Sequence, residues 1–438
     1  MINEKQLKQD IFNAIDSEAE FLKNYADDIR KHPELGFEEF RTSDRMAEYM
    51  SHLGLPVKRN LAITGVQGDL NMSETGPHLA VMGELDAIIC REAPYADPIT
   101  GAAHQCGHHV QQTVLLAIAA GLIKSNAYKY LDGKISFLGV PAEEYCYLEK
   151  RLELKKQQKI HFMSGKAELI HEGVFDDVDL SMMMHCWNHH PDALVVKGES
   201  NLGFVAFNVY YKGKQAHAAA EPHEGINALN AAVIGINAVN SLRETFQEKD
   251  NIRVHFIITK GGDMVNCVPD DVRLEVFVRA NSVPVIESTL RRTIQAFRSG
   301  ADAVGATMEV EVVPGMYPLK IDNDLFEIYK NNAKIFVPEN NFITVPTMPA
   351  STDLGDVSQI MPVLYPMAGG VDGVGHGADF EMVNFENAVL IPAKSMAATI
   401  VDLMLNQGQL AYNIIKHYQP TFTKNEYLDA LNAYYDLK

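Results

Sequence analysis

The chain is poor in positive charge, with 38 lysines and arginines against 57 aspartates and glutamates, and it holds a single tryptophan in 438 residues. A formal net charge of −19 argues against nucleic acid and anionic membranes as partners, because both select basic surfaces that displace counterions. Cysteine is also sparse. Cys90, Cys106, Cys146, Cys186 and Cys267 are odd in number and irregular in spacing, so no disulfide framework is expected, and a reducing, cytoplasmic setting suits them. The N-terminus has no basic stretch followed by an apolar one, and no signal peptide is expected. The longest strongly apolar run, residues 114–123, falls well short of the ~20 residues that cross a bilayer, so no membrane span is expected.

What is present is the balance of a soluble globular protein, 47% hydrophobic and 22% charged, at a length that suggests two or three domains. Residues 17–30 and 39–53 read as helices separated by the Pro33 and Gly36 breakers. Residues 79–82, 135–140 and 180–184 are short, nearly continuous apolar runs, as in strands covered on both faces by helices. Val110, Val114, Leu115, Ile118, Leu122 and Ile123 follow at helical spacing after Cys106-Gly107-His108. Near residue 200 the pattern changes to alternation, with Val205, Phe207, Val209 and Tyr211 on one side. Strands at 204–211, 253–259, 272–279 and 307–313 and helices at 224–243 and 285–298 give the strand-helix-strand-strand-helix-strand order of a ferredoxin-like module. Helices at 323–335 and 387–407 resume the first character. The expected architecture is an α/β fold, a central mixed sheet flanked by helices, split by an inserted α+β domain. The segments expected are 1–199 and 315–438 for the main domain and 200–314 for the insertion. The charged stretch 149–159 reads as a solvated loop or helix face.

Chemistry is concentrated at the ends of these elements. In Cys106-Gly107-His108 a thiolate and an imidazole can serve one divalent metal, or the sulfur can bridge two. Glu143 and Glu144 leave the strand at 135–140, where α/β proteins place their ligand crevices. Adjacent residues leaving a strand point apart, so one carboxylate can bind metal while the other serves as general base. His185 closes the next apolar run, and His376 sits in the glycine-rich turn 373–378. Each has a bland reading as a core or surface residue. Their recurrence at strand and helix ends points to a metal site.

The ordered motifs His32-Pro-Glu-Leu-Gly-Phe37, Gly83-Glu-Leu-Asp-Ala87, Cys106-Gly-His108, Pro141-Ala-Glu-Glu144, Met184-His185, Gly213-Lys-Gln-Ala-His-Ala218, Gly261-Gly262 with Asn266-Cys-Val-Pro-Asp270, and Gly375-His376 resemble those of the co-catalytic metallopeptidases. That family contains aminoacylases, carboxypeptidase G and the plant indole-acetyl-amino-acid hydrolases, and the likeness runs from about residue 30 to 400. Cysteine at position 106 resembles the amidohydrolase branch with the plant enzymes and p-aminobenzoyl-glutamate hydrolases. The resemblance implies two divalent ions per subunit, zinc or manganese, bridged by Cys106, with His108 and His185 on one and Glu144 and His376 on the other. It implies Glu143 as general base and Asp86 in the catalytic set. His217 of the inserted dimerisation or lid domain would stabilise the oxyanion, reaching the site of a partner subunit in a homodimer. Asn266 and Arg279 would bind the substrate, Arg279 through its fork on a carboxylate.

Two positions depart from the family pattern. His109 and Glu84 stand where many relatives carry Asp, and the charged stretch after Glu144 replaces a glycine-rich one. The implied function is hydrolysis of the amide in an N-acyl or aminoacyl amino acid, such as a p-aminobenzoyl-glutamate-like conjugate. The alternatives are a dipeptidase that requires a free substrate amine, and a metal-stabilised binding protein without catalysis.

Overall fold

The computed structural model describes residues 3–437; Met1, Ile2 and Lys438, which include the start of the N-terminus expected to lack a signal peptide and the outer ends of the expected segments, lie outside the described residues. Two compact units are formed. The first takes in the chain up to Glu199 together with Lys320–Pro346 and Val357–Lys424. The second consists of Ser200–Leu319, Thr347–Asp356 and the segment from Asn425 onward.

The first unit is built on a six-stranded mixed sheet in the order Val57–Leu61, Gly65–Asn71, Lys134–Val140, His78–Glu84, Leu180–Met182, Val363–Leu364. Gly65–Asn71 pairs antiparallel with both its neighbours, and the remaining pairs are parallel. Parallel strands bury both faces, and every residue of His78–Glu84 is buried, which is why its run carries no polar alternation. Helix His108–Lys124 is buried from His108 to Leu122 and packs on that strand and on helices Glu4–Ser17, Ala19–Lys31 and Ile391–Met404. An all-round apolar helix is what such a position needs. The segment Glu386–Met404 is long and apolar enough to cross a bilayer, but it is 83% buried within the protein and is a core helix. His78–Glu84, Lys134–Val140 and Leu180–Met182 run the same way, so their C-terminal ends share one edge of the sheet.

Some elements escaped the sequence reading. Helix Glu4–Ser17 buries Leu7, Ile11, Phe12 and Ile15 at helical spacing, and helices Gln409–His417 and Lys424–Tyr435 close the chain. The charged stretch forms helix Leu148–Lys156, with Glu149, Lys150, Glu153 and Lys156 exposed as a solvated face, but Arg151 and Leu152 turn inward and are buried. Its charges outnumber its apolar residues, which hid the short inward face.

The second unit contains the antiparallel sheet Arg253–Lys260, Asp271–Ala280, Gly203–Lys212, Thr307–Met316, with helices Ala228–Leu242 and Val283–Val304 packed on it. This is the ferredoxin-like order expected from the strand and helix pattern. Burial alternates along Asp271–Ala280, whereas the central strand Gly203–Lys212 is buried on both faces over most of its length. The two helices touch backbone to backbone at Gly300, where a Cβ would stand 2.1 Å from the Ala231 carbonyl oxygen and 2.7 Å from the Gly235 nitrogen. Gly300→Ala should therefore force them apart and cost about 1–3 kcal/mol. A lower midpoint of chemical denaturation is the expected result; an unchanged midpoint would mean the helices can part freely.

Candidate active site and metal centre

The edge where the parallel strands end carries Glu84, Asp86, Glu143, Glu144 and His185, and the N-terminus of helix His108–Lys124 brings Cys106 and His108 to it. Donor atoms of Cys106, His108 and His185 lie within 4.8 Å of one another, as do those of Cys106, Glu144 and His376, so the cysteine belongs to both groups. A third group joins Glu84, His108 and Glu143. Cys106 Sγ is 3.5 Å from His185 Nε2, and His376 Nε2 is 3.1 Å from Glu144 Oε1.

Two of the three imidazoles are oriented from behind. His108 Nδ1 lies 2.8 Å from the Asp86 carbonyl oxygen and 3.2 Å from its carboxylate, and His185 Nδ1 lies 3.0 Å from the Cys186 carbonyl oxygen. Hydrogen bonds of this kind put the ring proton on Nδ1 and turn the Nε2 lone pair towards the centre. His108 Nε2 is buried with no hydrogen-bond partner, although Glu84 Oε2 stands 3.1 Å away. His376 is positioned by its own backbone N–H, which donates to the Gln105 carbonyl at 2.8 Å, and it takes a left-handed φ of 66°. The Gln105 side chain donates to the Gly377 carbonyl at 2.6 Å, so the two halves of the unit are tied together beside the ligands.

The electrostatics ask for cations. Burial first, then the Glu144, Glu143 and Glu84 carboxylates, push the Cys106 thiol well above its usual range. A thiolate at this place therefore requires positive charge next to it. Glu84 is 1% exposed; burial acts to raise its pKa, but buried Lys166, 2.6 Å away, together with His108 and His185 holds it below the usual carboxylate range. Glu84 also accepts from Gln111 Nε2 at 2.9 Å. A soft sulfur shared by two groups, three imidazoles and a carboxylate, with an orphaned buried imidazole nitrogen, form a donor set that fits two divalent ions, zinc or manganese.

Glu143 is 6% exposed and Asp86 fully buried. Asp86 holds two parts of the centre, the His108 ring and, through Oδ2, the Glu144 backbone N–H at 2.9 Å. Behind them Glu39, which the sequence reading missed, accepts from the Ala142 N–H at 2.7 Å and from Thr64 Oγ1 at 2.6 Å. Burial, then Asp86, pushes its carboxyl up to about 8. The signal available was its place two residues after the His32–Phe37 motif. His109, at one departing position, is buried beside His104, with ring centroids 5.5 Å apart and no hydrogen-bond partner on either ring. Burial, then Arg30, pushes the His109 pKa down to about 3, so its ring is neutral.

The second unit holds the other expected residues. His217 and Asn266 lie on adjoining segments, joined by the bridge between His217 and Cys267 and by the Ala218 N–H donating to the Asn266 carbonyl at 3.0 Å. His217 is exposed, and its Nδ1 accepts from the N–H groups of Ala219 and Ala220 at 3.2 and 3.0 Å. Arg279 lies over the Phe204 ring at 4.9 Å and donates to Ser351 Oγ at 2.6 Å.

Known proteins share this chain's sequence and fold. It is 29% identical to a mouse (Mus musculus) Xaa-Arg dipeptidase over 92% of this chain and 90% of the relative. It is 26% identical to one of the p-aminobenzoyl-glutamate hydrolase chains of Escherichia coli over 94% of this chain and 95% of the relative. Its fold matches that of a dinuclear metal-binding peptidase from Bacillus subtilis with a TM-score of 0.67 at 19% identity, over 89% of this chain and 99% of the other. The family model for peptidase family M20/M25/M40 matches residues 80–402, the span that carries every donor named above, and the chain belongs to that family of metal-dependent hydrolases acting on amide bonds.

Proposed function

We propose that this protein hydrolyses the amide of an N-acyl or aminoacyl amino acid with a free carboxylate, p-aminobenzoyl-glutamate-like conjugates among them. The observation that carries the reading is the convergence of Cys106, His108, Glu144, His185 and His376 with Glu143 beside them. Cys106 would be shared by both ions, with His108 and His185 on one and Glu144 and His376 on the other. When bound, the ions supply Lewis acidity to the scissile carbonyl and acidify the attacking water. Glu143 takes the proton of that water and hands it to the leaving amine. Asp86 keeps the His108 ring and the Glu144 backbone in place. A purely structural metal site would be closed and need no base, so the buried Glu143 counts against a non-catalytic binding protein.

The second unit serves as lid and dimerisation domain in this reading. Because His217 Nδ1 accepts two backbone N–H groups, the neutral ring carries its proton on Nε2 and can donate to a developing oxyanion. Asn266 and Arg279 complete the contacts to the substrate, the latter through its carboxylate. A homodimer is supported by the edge strand Arg253–Lys260, whose Ile257 and Ile258 are exposed, as are Val233 and Ile234 of helix Ala228–Leu242 on the same sheet. Five free cysteines support a cytoplasmic setting. Resemblance to the mouse Xaa-Arg dipeptidase favours a second reading, a dipeptidase that requires the substrate's free amine.

Glu143→Ala should lower kcat by about 10²–10⁴-fold while elemental analysis still finds close to two ions per chain. Near-normal turnover would sink the mechanism. His217→Ala should cut turnover by about 10²–10³-fold without loss of metal, and mixing it with Glu143→Ala subunits should restore part of the activity if the histidine acts across a dimer. Without such rescue, action in trans is wrong. A hydrolysis panel of p-aminobenzoyl-glutamate, dipeptides and N-acetyl amino acids, run with zinc and with manganese, separates the readings: turnover confined to substrates with a free amine selects the dipeptidase.

A further inference from the structure

The stretch that departs most from the family pattern, the charged segment after Glu144, places a guanidinium under the loop that carries both acidic residues. Arg151 is 2% exposed although it lies in one of the most highly charged helices of the chain. Its Nη1 donates to the Ala142 carbonyl at 3.2 Å and to the Met163 carbonyl, and its Nη2 donates to the Glu144 carbonyl. Its guanidinium carbon lies 5.3 Å from the centre of the Phe37 ring and 5.1 Å from that of the Tyr145 ring. Room for it exists because position 36 is glycine: a Cβ there would stand 2.7 Å from Arg151 Nη2 and 2.9 Å from Ala142 Cα.

The loop needs such a hold. Ala142 sits at φ 52°, in the left-handed region that a residue with a Cβ avoids, and the direction in which Glu143 and Glu144 leave the strand depends on that turn. The Ala142 N–H donates to buried Glu39, and its carbonyl accepts from Arg151 as well as from the Gly165 N–H at 3.2 Å. The Glu144 N–H donates to Asp86, and its carbonyl accepts from Arg151 as well as from the Cys146 N–H at 2.8 Å. One fork thus spans the residues on either side of Glu143. A neutral donor could satisfy a carbonyl at far smaller desolvation cost than a buried guanidinium, which is sustained only where several fixed acceptors meet it.

We infer that Arg151 is a positioning residue, which sets the backbone turn at Ala142 and thereby aims Glu143 at the reacting water and Glu144 at its metal. The inference rests on the roles proposed above for Glu143 and Glu144. It also assigns the segment after Glu144 a function that a glycine-rich stretch could not perform, since such a stretch has no side chain to brace the loop from below.

The test uses the full-length protein. Arg151→Met keeps length and contact with the two rings while removing every donor, and Arg151→Ala opens a space that guanidinium ion can enter. In Arg151→Met, kcat should fall about a hundredfold with KM changed by less than about threefold. Calorimetric titration of the metal-free protein with zinc should show the weaker of two equivalents loosened about tenfold or more and the tighter one unchanged. In Arg151→Ala, guanidinium chloride at low millimolar concentration should restore kcat, and sodium chloride at equal ionic strength should not. Should Arg151→Ala fail to fold, the Arg151→Met kinetics and titration decide. A folded Arg151→Met that melts earlier but keeps normal kcat and both zinc equivalents overturns the inference and leaves Arg151 a structural residue. Loss of activity in Glu143→Ala alongside normal Arg151→Met would sink the positioning role alone, whereas near-normal activity in Glu143→Ala would remove the reading on which it rests.

Discussion

Everything about this centre follows from crowding acidic groups at one dry sheet edge. Glu84, Asp86 and Glu143 are almost fully buried, Glu144 stands beside them, and Glu39 lies behind. Like charges in a low-dielectric interior repel strongly, so such a cluster persists only with positive charge to match or, as at Glu39, with a carboxyl pushed up until it keeps its proton. The fold supplies part of it as Lys166 against Glu84 and Arg151 beneath the Glu143 loop. What remains uncompensated surrounds Cys106, the place where two divalent ions belong. The surplus of acid is thus the complement of the cofactor.

The scaffold provides this edge economically. Three parallel strands end side by side, each followed directly by functional side chains, while Cys106 and His108 enter from the N-terminus of the helix packed behind the sheet. His376 arrives from the far end of the chain and is secured by Gln105, next to the cysteine itself. Residues from distant parts of the sequence therefore share a few ångströms because one glutamine and one backbone N–H connect their loops.

Much of this was legible in the sequence. Ligand-type residues at the ends of apolar runs identified the sheet edge, and the change from continuous to alternating hydrophobicity near residue 200 marked the ferredoxin-like module. The donors expected from the motifs do meet in space. Most of what escaped detection depends on burial that composition conceals. Arg151 belongs to a stretch whose charges suggest solvent, and only three dimensions reveal that one face turns inward. Glu39 and Lys166 look like ordinary surface residues until their neighbours close over them. Helix Glu4–Ser17 has a clear apolar stripe, but no chemistry drew attention to it.

The donors differ in their access to water. His108 lies 1% exposed in the interior, whereas the His376 side chain is 54% exposed. Two metal positions built on these rings would accordingly differ in how openly they meet solvent. In the proposed arrangement an ion on Glu144 and His376 would meet solvent at the exposed His376 ring, whereas the Cys106, His108 and His185 group would meet it only past the partly buried Cys106 and His185. On that assignment the outer position would be the one that exchanges its metal more readily with the surrounding solution.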